Sequence, residues 1–229
     1  MIRRALHAVL GPSAIRICGC ALLVAGVLGG LFPACAARAA EAAPTLPEVA
    51  PLHRLMVERE AAEVWGIAAP TARIAAQIHA ESLWRPKAAS QYAHGMAQFT
   101  PATAEWIAAK FPDKLGGFDP WDPVQAVRAM VIYDHWLTTR NPGATECDTW
   151  AFGLSAYNGG EGWLRRDRKR AAAQGAEDDV WFGQVEHYTA RAGWAKRENR
   201  SYVERILLKL EPAYHAAGWS GAPACEVTP

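Results

Sequence analysis

Between Leu52 and Trp65 apolar residues fall at 52, 55, 56, 61, 64 and 65, the spacing of an amphipathic helix. Gly66 ends that stretch. Pro70 and Thr71 open a second predicted helix running to about Trp84, and Pro86 stops it. Pro101 begins a helix over 101–110 with Thr100 as its cap. Asp122 and Pro123 repeat that grammar and launch a helix to about Thr139. Asn141-Pro142-Gly143 reads as a turn. Further helices are expected from Thr149 to Tyr157, over the very polar stretch 163–173, and from Asn199 to Ala217. No segment sustains period-two alternation, so the pattern predicts an all-α chain.

The first forty residues follow another rule. They hold four arginines and no acid. Arg3, Arg4 and Arg16 precede Ile17 to Phe32, which is apolar apart from glycines and two cysteines. Ala37-Arg38-Ala39 supplies the small-residue exit, which places cleavage of a signal peptide near Ala39/Ala40. The apolar run is short for a membrane span, so a cleaved signal is the first reading and a retained anchor the second. Cys35 follows Phe32-Pro33-Ala34, a poor lipidation box. Residues 41–51 carry three prolines and read as an extended leader. One domain is expected over 52–229.

Composition narrows the function. Of 229 residues 51% are hydrophobic and 21% charged, a globular balance, and a formal charge of +1 gives no reason to expect nucleic acid. Without the four leader arginines, 20 basic residues face 23 acidic ones, a formal charge of −3. Seven histidines and five cysteines show no metal-ligand spacing, so neither metal nor cofactor is expected. Three of the cysteines lie in the leader. The remaining pair, Cys147 and Cys225, is expected to form a disulfide in an exported chain and to tie the tail to the body. Ten tryptophans are many for this length, and some are expected to line a groove.

The segment with chemistry is 71–84. Ile74, Ile78 and Glu81 share one helical face, so Glu81 sits where a buried apolar residue belongs. A carboxyl there is costly unless protonated, paired or at a cleft floor, and a raised pKa is what a general acid needs. Glu81-Ser82-Leu83-Trp84-Arg85-Pro86 begins a longer pattern. It continues through Ala88, Ser90, Gly95-Met96-Ala97-Gln98 and Pro101-Ala102-Thr103-Ala104. Ala156-Tyr157-Asn158-Gly159-Gly160 follows, then Glu198 to Val203 with Tyr202. These three blocks, within about 68–212, resemble the SLT-type lytic transglycosylases, goose-lysozyme-like enzymes of the lysozyme superfamily. Met96-Ala97 stands in place of Leu-Met, Asn199 in place of Thr, and the stretch between Ser90 and Gly95 is one residue shorter than usual.

The resemblance implies a lysozyme-like helical domain, with the catalytic Glu81 at a helix end facing a glycan-binding groove. It implies cleavage of the β-1,4 bond between N-acetylmuramic acid and N-acetylglucosamine in peptidoglycan. Glu81 would protonate the glycosidic oxygen and then accept a proton from the muramoyl C6 hydroxyl, which closes a 1,6-anhydro ring. Tyr157 is expected to point its hydroxyl at Glu81. Ser82 and Asn158 are expected to contact sugar, and Gln98 to bind an acetamido group or hold the loop facing Glu81. Met96 is expected as cleft wall and Tyr202 at the cleft's border. Trp84 is left between core and groove. Asp113, Asp119, Asp122, Asp148 and Glu161 have no motif tying them to the site. A hydrolytic muramidase, which would need a second carboxylate or an ordered water, stays open, as does a non-catalytic wall-binding or scaffold protein. The implied setting is the periplasm of a Gram-negative bacterium, the implied partner peptidoglycan strands, the expected state a monomer. General wall turnover and service to an envelope-spanning secretion or conjugation machine both remain open.

Overall fold

The structure, a computed structural model, describes residues 43–226. The signal-peptide reading lies outside the described residues. The described chain is helical. It runs through α1 (Arg54–Trp65), α2 (Thr71–Ser82), α3 (Pro101–Lys110) and α4 (Pro112–Leu115). Then come α5 (Pro123–Arg140), α6 (Glu146–Gly159), α7 (Glu161–Ala172), α8 (Gly193–Glu204) and α9 (Glu211–Ala216). A π-helical segment, Arg205–Leu210, joins the last two. Among the described residues no sheet forms, and β pairing is confined to isolated bridges joining Ala89 to His94 and His94 to Phe99.

Helix starts obey the capping grammar. Thr100 accepts from the Thr103 amide, Asp122 from that of Gln125 and Thr145 from that of Asp148. The Thr145 cap moves the start of α6 forward from the expected Thr149. The short α4 was not expected at all. The polar stretch does form a helix, α7, with Arg165, Arg166, Lys169 and Arg170 exposed. Its Asp167 is buried against Arg191 and Arg200.

Helix α2 runs through the core of the described residues. Every residue from Thr71 to His79 is buried, so the helix has core on all sides rather than one apolar stripe. It packs against α1, α9 and the π segment. Arg73 on α2 pairs with Glu211 on α9 at 2.9 Å, and both side chains are buried. Arg73 also stacks on Trp150 and donates to the Ala222 carbonyl. The Cys147–Cys225 disulfide joins α6 to the tail, with the two α carbons 4.7 Å apart. The expected pairing is present, and Trp219 and Ala224 of the tail are buried.

Two sequence expectations fail in the first helical stretch. Leu52 and Leu55 are 82% and 81% exposed, while Val57, Glu60 and Ala61 face the core. Ala61 is buried and Met56, Val64 and Trp65 pack against the core as expected, and Glu60, buried on the same helix, is held by Arg128 and Arg59. The leader, expected to be extended through Pro51, ends in a 3-10 turn, Ala50–His53, with Ala50 buried.

Candidate active site

Helix α2 stops at Ser82, two residues short of the expected Trp84. Leu83 and Trp84 both take left-handed backbone conformations, with φ of 54° and 63°. Such conformations cost non-glycine residues about 1–2 kcal/mol each. Trp84 offsets its share by burial: it is 1% exposed, stacks on His53 and donates Nε1–H to the Tyr214 hydroxyl at 2.6 Å. Trp84 is therefore core, and it fixes the turn that ends the helix at the carboxyl of Glu81.

Glu81 is partly exposed and lines an open cleft of about 940 Å³. The Tyr202 hydroxyl on α8 donates to its Oε1 at 2.5 Å. Burial pushes the carboxyl up, the Tyr202 bond pulls it down and the like charge of Glu198 pushes it up again. The outcome is a rise from 4.5 to about 8. At neutral pH Glu81 thus carries a proton and stands at the cleft surface, as a general acid requires. Among the described residues Glu81 and Glu198 are the carboxylates lining this cleft. Asp122 is spent as a helix cap, Asp119 accepts from the Trp121 amide, and Asp148 accepts from the Trp181 amide.

The structure rearranges the other expected roles. The Tyr157 hydroxyl lines the cleft but donates to the Ala97 carbonyl at 2.8 Å, so it braces the facing loop instead of bonding Glu81. The direct contact belongs to Tyr202, which had been placed only at the border. Gln98 holds that same loop. Its Nε2 donates to the Gly95 and Ala88 carbonyls at 2.8 and 3.2 Å, and its backbone takes φ 50°. Gly95 has φ 78°, and a Cβ there would lie 1.7 Å from the Pro120 carbonyl oxygen, so no other residue fits. Asn158 lines the cleft and accepts from Asn199 at 2.9 Å.

Two expected site residues do not reach the cleft. Ser82 is 2% exposed and its hydroxyl donates to the Ile78 carbonyl, because it lies four residues after buried Ile78 on the same helix face. Met96 is fully buried and packs in the core, beneath the wall it was expected to form.

Several residues at or behind the cleft were passed over in the sequence. Trp194, Glu198, Ser201 and Arg205 line it from α8 and the start of the π segment. Their spacing of three to four residues, shared with Tyr202, was the available signal. Asn199 on the same helix bonds both Ser155 and Asn158 and so ties α8 to α6. Arg191 also lines the cleft, lying so close to Gly159 that a Cβ there would fall 2.2 Å from its Nη1. Behind Glu81, buried Asp134 on α5 accepts from Gln77 Nε2 at 3.2 Å. Burial holds the Asp134 carboxyl well above the usual range. Gln77 Oε1 and Asp134 Oδ2 are buried without a hydrogen-bond partner among the described residues.

The described residues form an all-α domain in which a carboxyl held above its usual range stands near the end of a buried helix, beside an open cleft. The chain belongs to the transglycosylase SLT domain family, whose model matches residues 57–180. It is 32% identical over 156 residues to a membrane-bound lytic murein transglycosylase F of Pasteurella multocida, covering 62% of this chain and 30% of that protein. The corresponding protein of Vibrio campbellii is 34% identical over 146 residues, covering 58% of this chain and 26% of its own length. The chain thus spans under a third of these relatives. In fold it resembles the 70 kDa soluble lytic transglycosylase of Escherichia coli, with a TM-score of 0.52, 21% identity, and coverage of 76% of this chain and 25% of that one. An inactive mutant of lytic transglycosylase Slt from Pseudomonas aeruginosa matches with a TM-score of 0.51, at the same identity and coverage.

Proposed function

We propose that the protein is a peptidoglycan lytic transglycosylase that cleaves the β-1,4 bond between N-acetylmuramic acid and N-acetylglucosamine and leaves a 1,6-anhydromuramoyl end. The observation that carries the reading is the Glu81 carboxyl, raised to about 8 at the end of α2 and open to the cleft. Family membership and the relatives' names support it.

In this reading Glu81 gives its proton to the glycosidic oxygen and the bond to the anomeric carbon breaks. The N-acetylglucosamine side leaves as an alcohol, and the sugar's own acetamido group steadies the developing positive charge. The Glu81 carboxylate then accepts the proton of the muramoyl C6 hydroxyl as that oxygen bonds the anomeric carbon. Proton and charge balance, and no water is consumed. An attacking group within the same sugar has a large effective molarity, which lets it outrun solvent. Tyr202 supports the middle of the cycle, because its hydrogen bond favours the carboxylate form that must exist between the two transfers. Tyr157 and Gln98 hold the loop across from Glu81, and Asn158 presents an amide to the sugar. The signal-like leader and the membrane-bound relatives support an exported, periplasmic place of action.

One observation favours a second reading. Glu198 puts another carboxylate in the cleft, and a muramidase that admits water would use one. Digestion of purified sacculi followed by product mass tests the pair. Anhydro ends, lighter by one water, support the transglycosylase, and reducing muramoyl ends support the hydrolase.

A further inference from the structure

Outside the pocket around Glu81, two helices lay parallel side-chain rows beside each other. On α3 the row is Thr103, Trp106 and Lys110, and on α5 it is Tyr133, Trp136 and Arg140. Both follow the three-to-four spacing of one helix face. Each row begins in the cleft, since Thr103 and Tyr133 line it. The rows meet through their rings. Tyr133 stacks on Trp136 at 6.0 Å and 19°, and Trp106 sets its edge against Trp136 at 5.1 Å and against Tyr133 at 5.8 Å. Each ends in a cation: Lys110 lies 5.7 Å from the Trp106 ring and 5.3 Å from that of Trp136, and Arg140 lies 4.5 Å from the latter. From Tyr133 to Arg140 the row climbs about 10 Å.

Tyr133 and Trp136 pack partly against the core, but core packing does not account for Trp106. Trp106 is 41% exposed, although the side chain has among the most to gain from burial. Lys110 has no ion-pair partner among the described residues. Arg140 shares Glu161 with Arg165, so one carboxylate faces two guanidinium groups and the end of the strip stays positive. Flat apolar faces flanked by cations suit a sugar's C–H face carrying a nearby carboxylate. The strip's continuity with the cleft says which sugar: one further along the strand that Glu81 cleaves.

We propose that Trp106, Trp136, Lys110 and Arg140 form a second glycan-binding platform, which holds a more distant part of the same peptidoglycan strand, its sugar on Trp106 and a carboxylate of its attached peptide at Lys110 and Arg140. The inference rests on the proposed function, since it takes the strand in the cleft as the platform's ligand. The platform anchors long strands and adds nothing to bond breaking itself.

The test uses the full chain with Glu81→Gln, which leaves the polymer intact, and measures co-sedimentation with sacculi and with glycan stripped of peptides. Trp106→Ala should weaken binding to both about tenfold, the scale of one aromatic contact. Lys110→Gln should weaken binding to peptide-bearing sacculi alone, about threefold and only at low salt. In the active enzyme Trp106→Ala should raise KM on long strands and leave kcat on a short muropeptide unchanged. Should Trp106→Ala misfold, Lys110→Glu carries the test, because that exposed substitution reverses the charge without touching the core. Folded Trp106→Ala or Lys110→Glu protein that binds sacculi like its parent would overturn the platform. A wild-type enzyme that releases no muropeptide overturns the proposed function instead, and the two failures are read in separate assays.

Discussion

The Tyr202 hydroxyl on α8 donates to Glu81 Oε1, while that of Tyr157 on α6 donates to the Ala97 carbonyl. The two tyrosines therefore have separable effects. Tyr202→Phe removes a bond to the carboxylate form, of a kind that contributes about 1.5–3 kcal/mol. The Glu81 carboxyl should then rise, and the high-pH limb of kcat/KM should move to higher pH. Tyr157→Phe should lower the rate by loosening the loop that carries Ala97 and Gln98, with the limb unmoved. Paired pH–rate profiles of the two variants check this. A shift in the Tyr157 variant alone would reverse the assignment.

The wild-type profile itself has a defined sign. In the proposed cycle Glu81 must be protonated to begin, and its carboxyl sits at about 8. The rate constant kcat/KM should stay level through neutral pH and fall about tenfold per pH unit above that value.

Stability follows from the same proton. Unfolded Glu81 titrates near 4.5 and folded Glu81 near 8, so between those values the native state holds the extra proton. Stability therefore falls as pH rises through this window and levels off above it. Glu81→Gln should match wild type near pH 4 and exceed it at pH 8.5 in urea denaturation. Equal midpoints at both pH values would show an ordinary carboxyl.

Glu198 decides between the chemistries. If it acts only as a like charge near Glu81, Glu198→Gln lowers the Glu81 carboxyl, moves the limb to lower pH and costs less than about tenfold in rate at pH 6. A loss beyond about a hundredfold with reducing product ends would make it the second carboxylate of a hydrolase.

Much of this was readable without coordinates, for reasons that differ by residue. Helix starts were legible because their caps are local: Thr100 with Pro101 and Asp122 with Pro123 need only their own turn. Glu81 was legible as a charged residue in an apolar context within a recurring block. The disulfide was legible because two cysteines remain once the expected signal-like leader is set aside. What failed depends on packing between distant elements. Which tyrosine reaches Glu81 is set by how α8 packs on α6 and runs into the π segment, which in turn packs on α2, and no local pattern records that. Ser82 and Met96 looked like cleft residues because of the block they belong to, but Ser82 shares the buried face of Ile78 on α2 and Met96 packs in the core. Asp134 was passed over inside an apolar run, where its burial depends on Gln77 from another helix.

The tail offers a test of the frame. The disulfide closes a long loop, with 78 residues separating Cys147 and Cys225. Replacing both by Ser should cost about 2–4 kcal/mol in urea denaturation. Activity at low temperature should survive, because Arg73 still holds Glu211 and the tail at Ala222.

The most direct measurement is mass spectrometry of muropeptides released from purified sacculi by wild type and by Glu81→Gln. Wild type should release 1,6-anhydromuramoyl ends. The variant should fold, still bind sacculi, and release product at least about a hundredfold more slowly, the low end of what a general acid contributes. Near-normal release by Glu81→Gln, or reducing ends from wild type, would contradict the account.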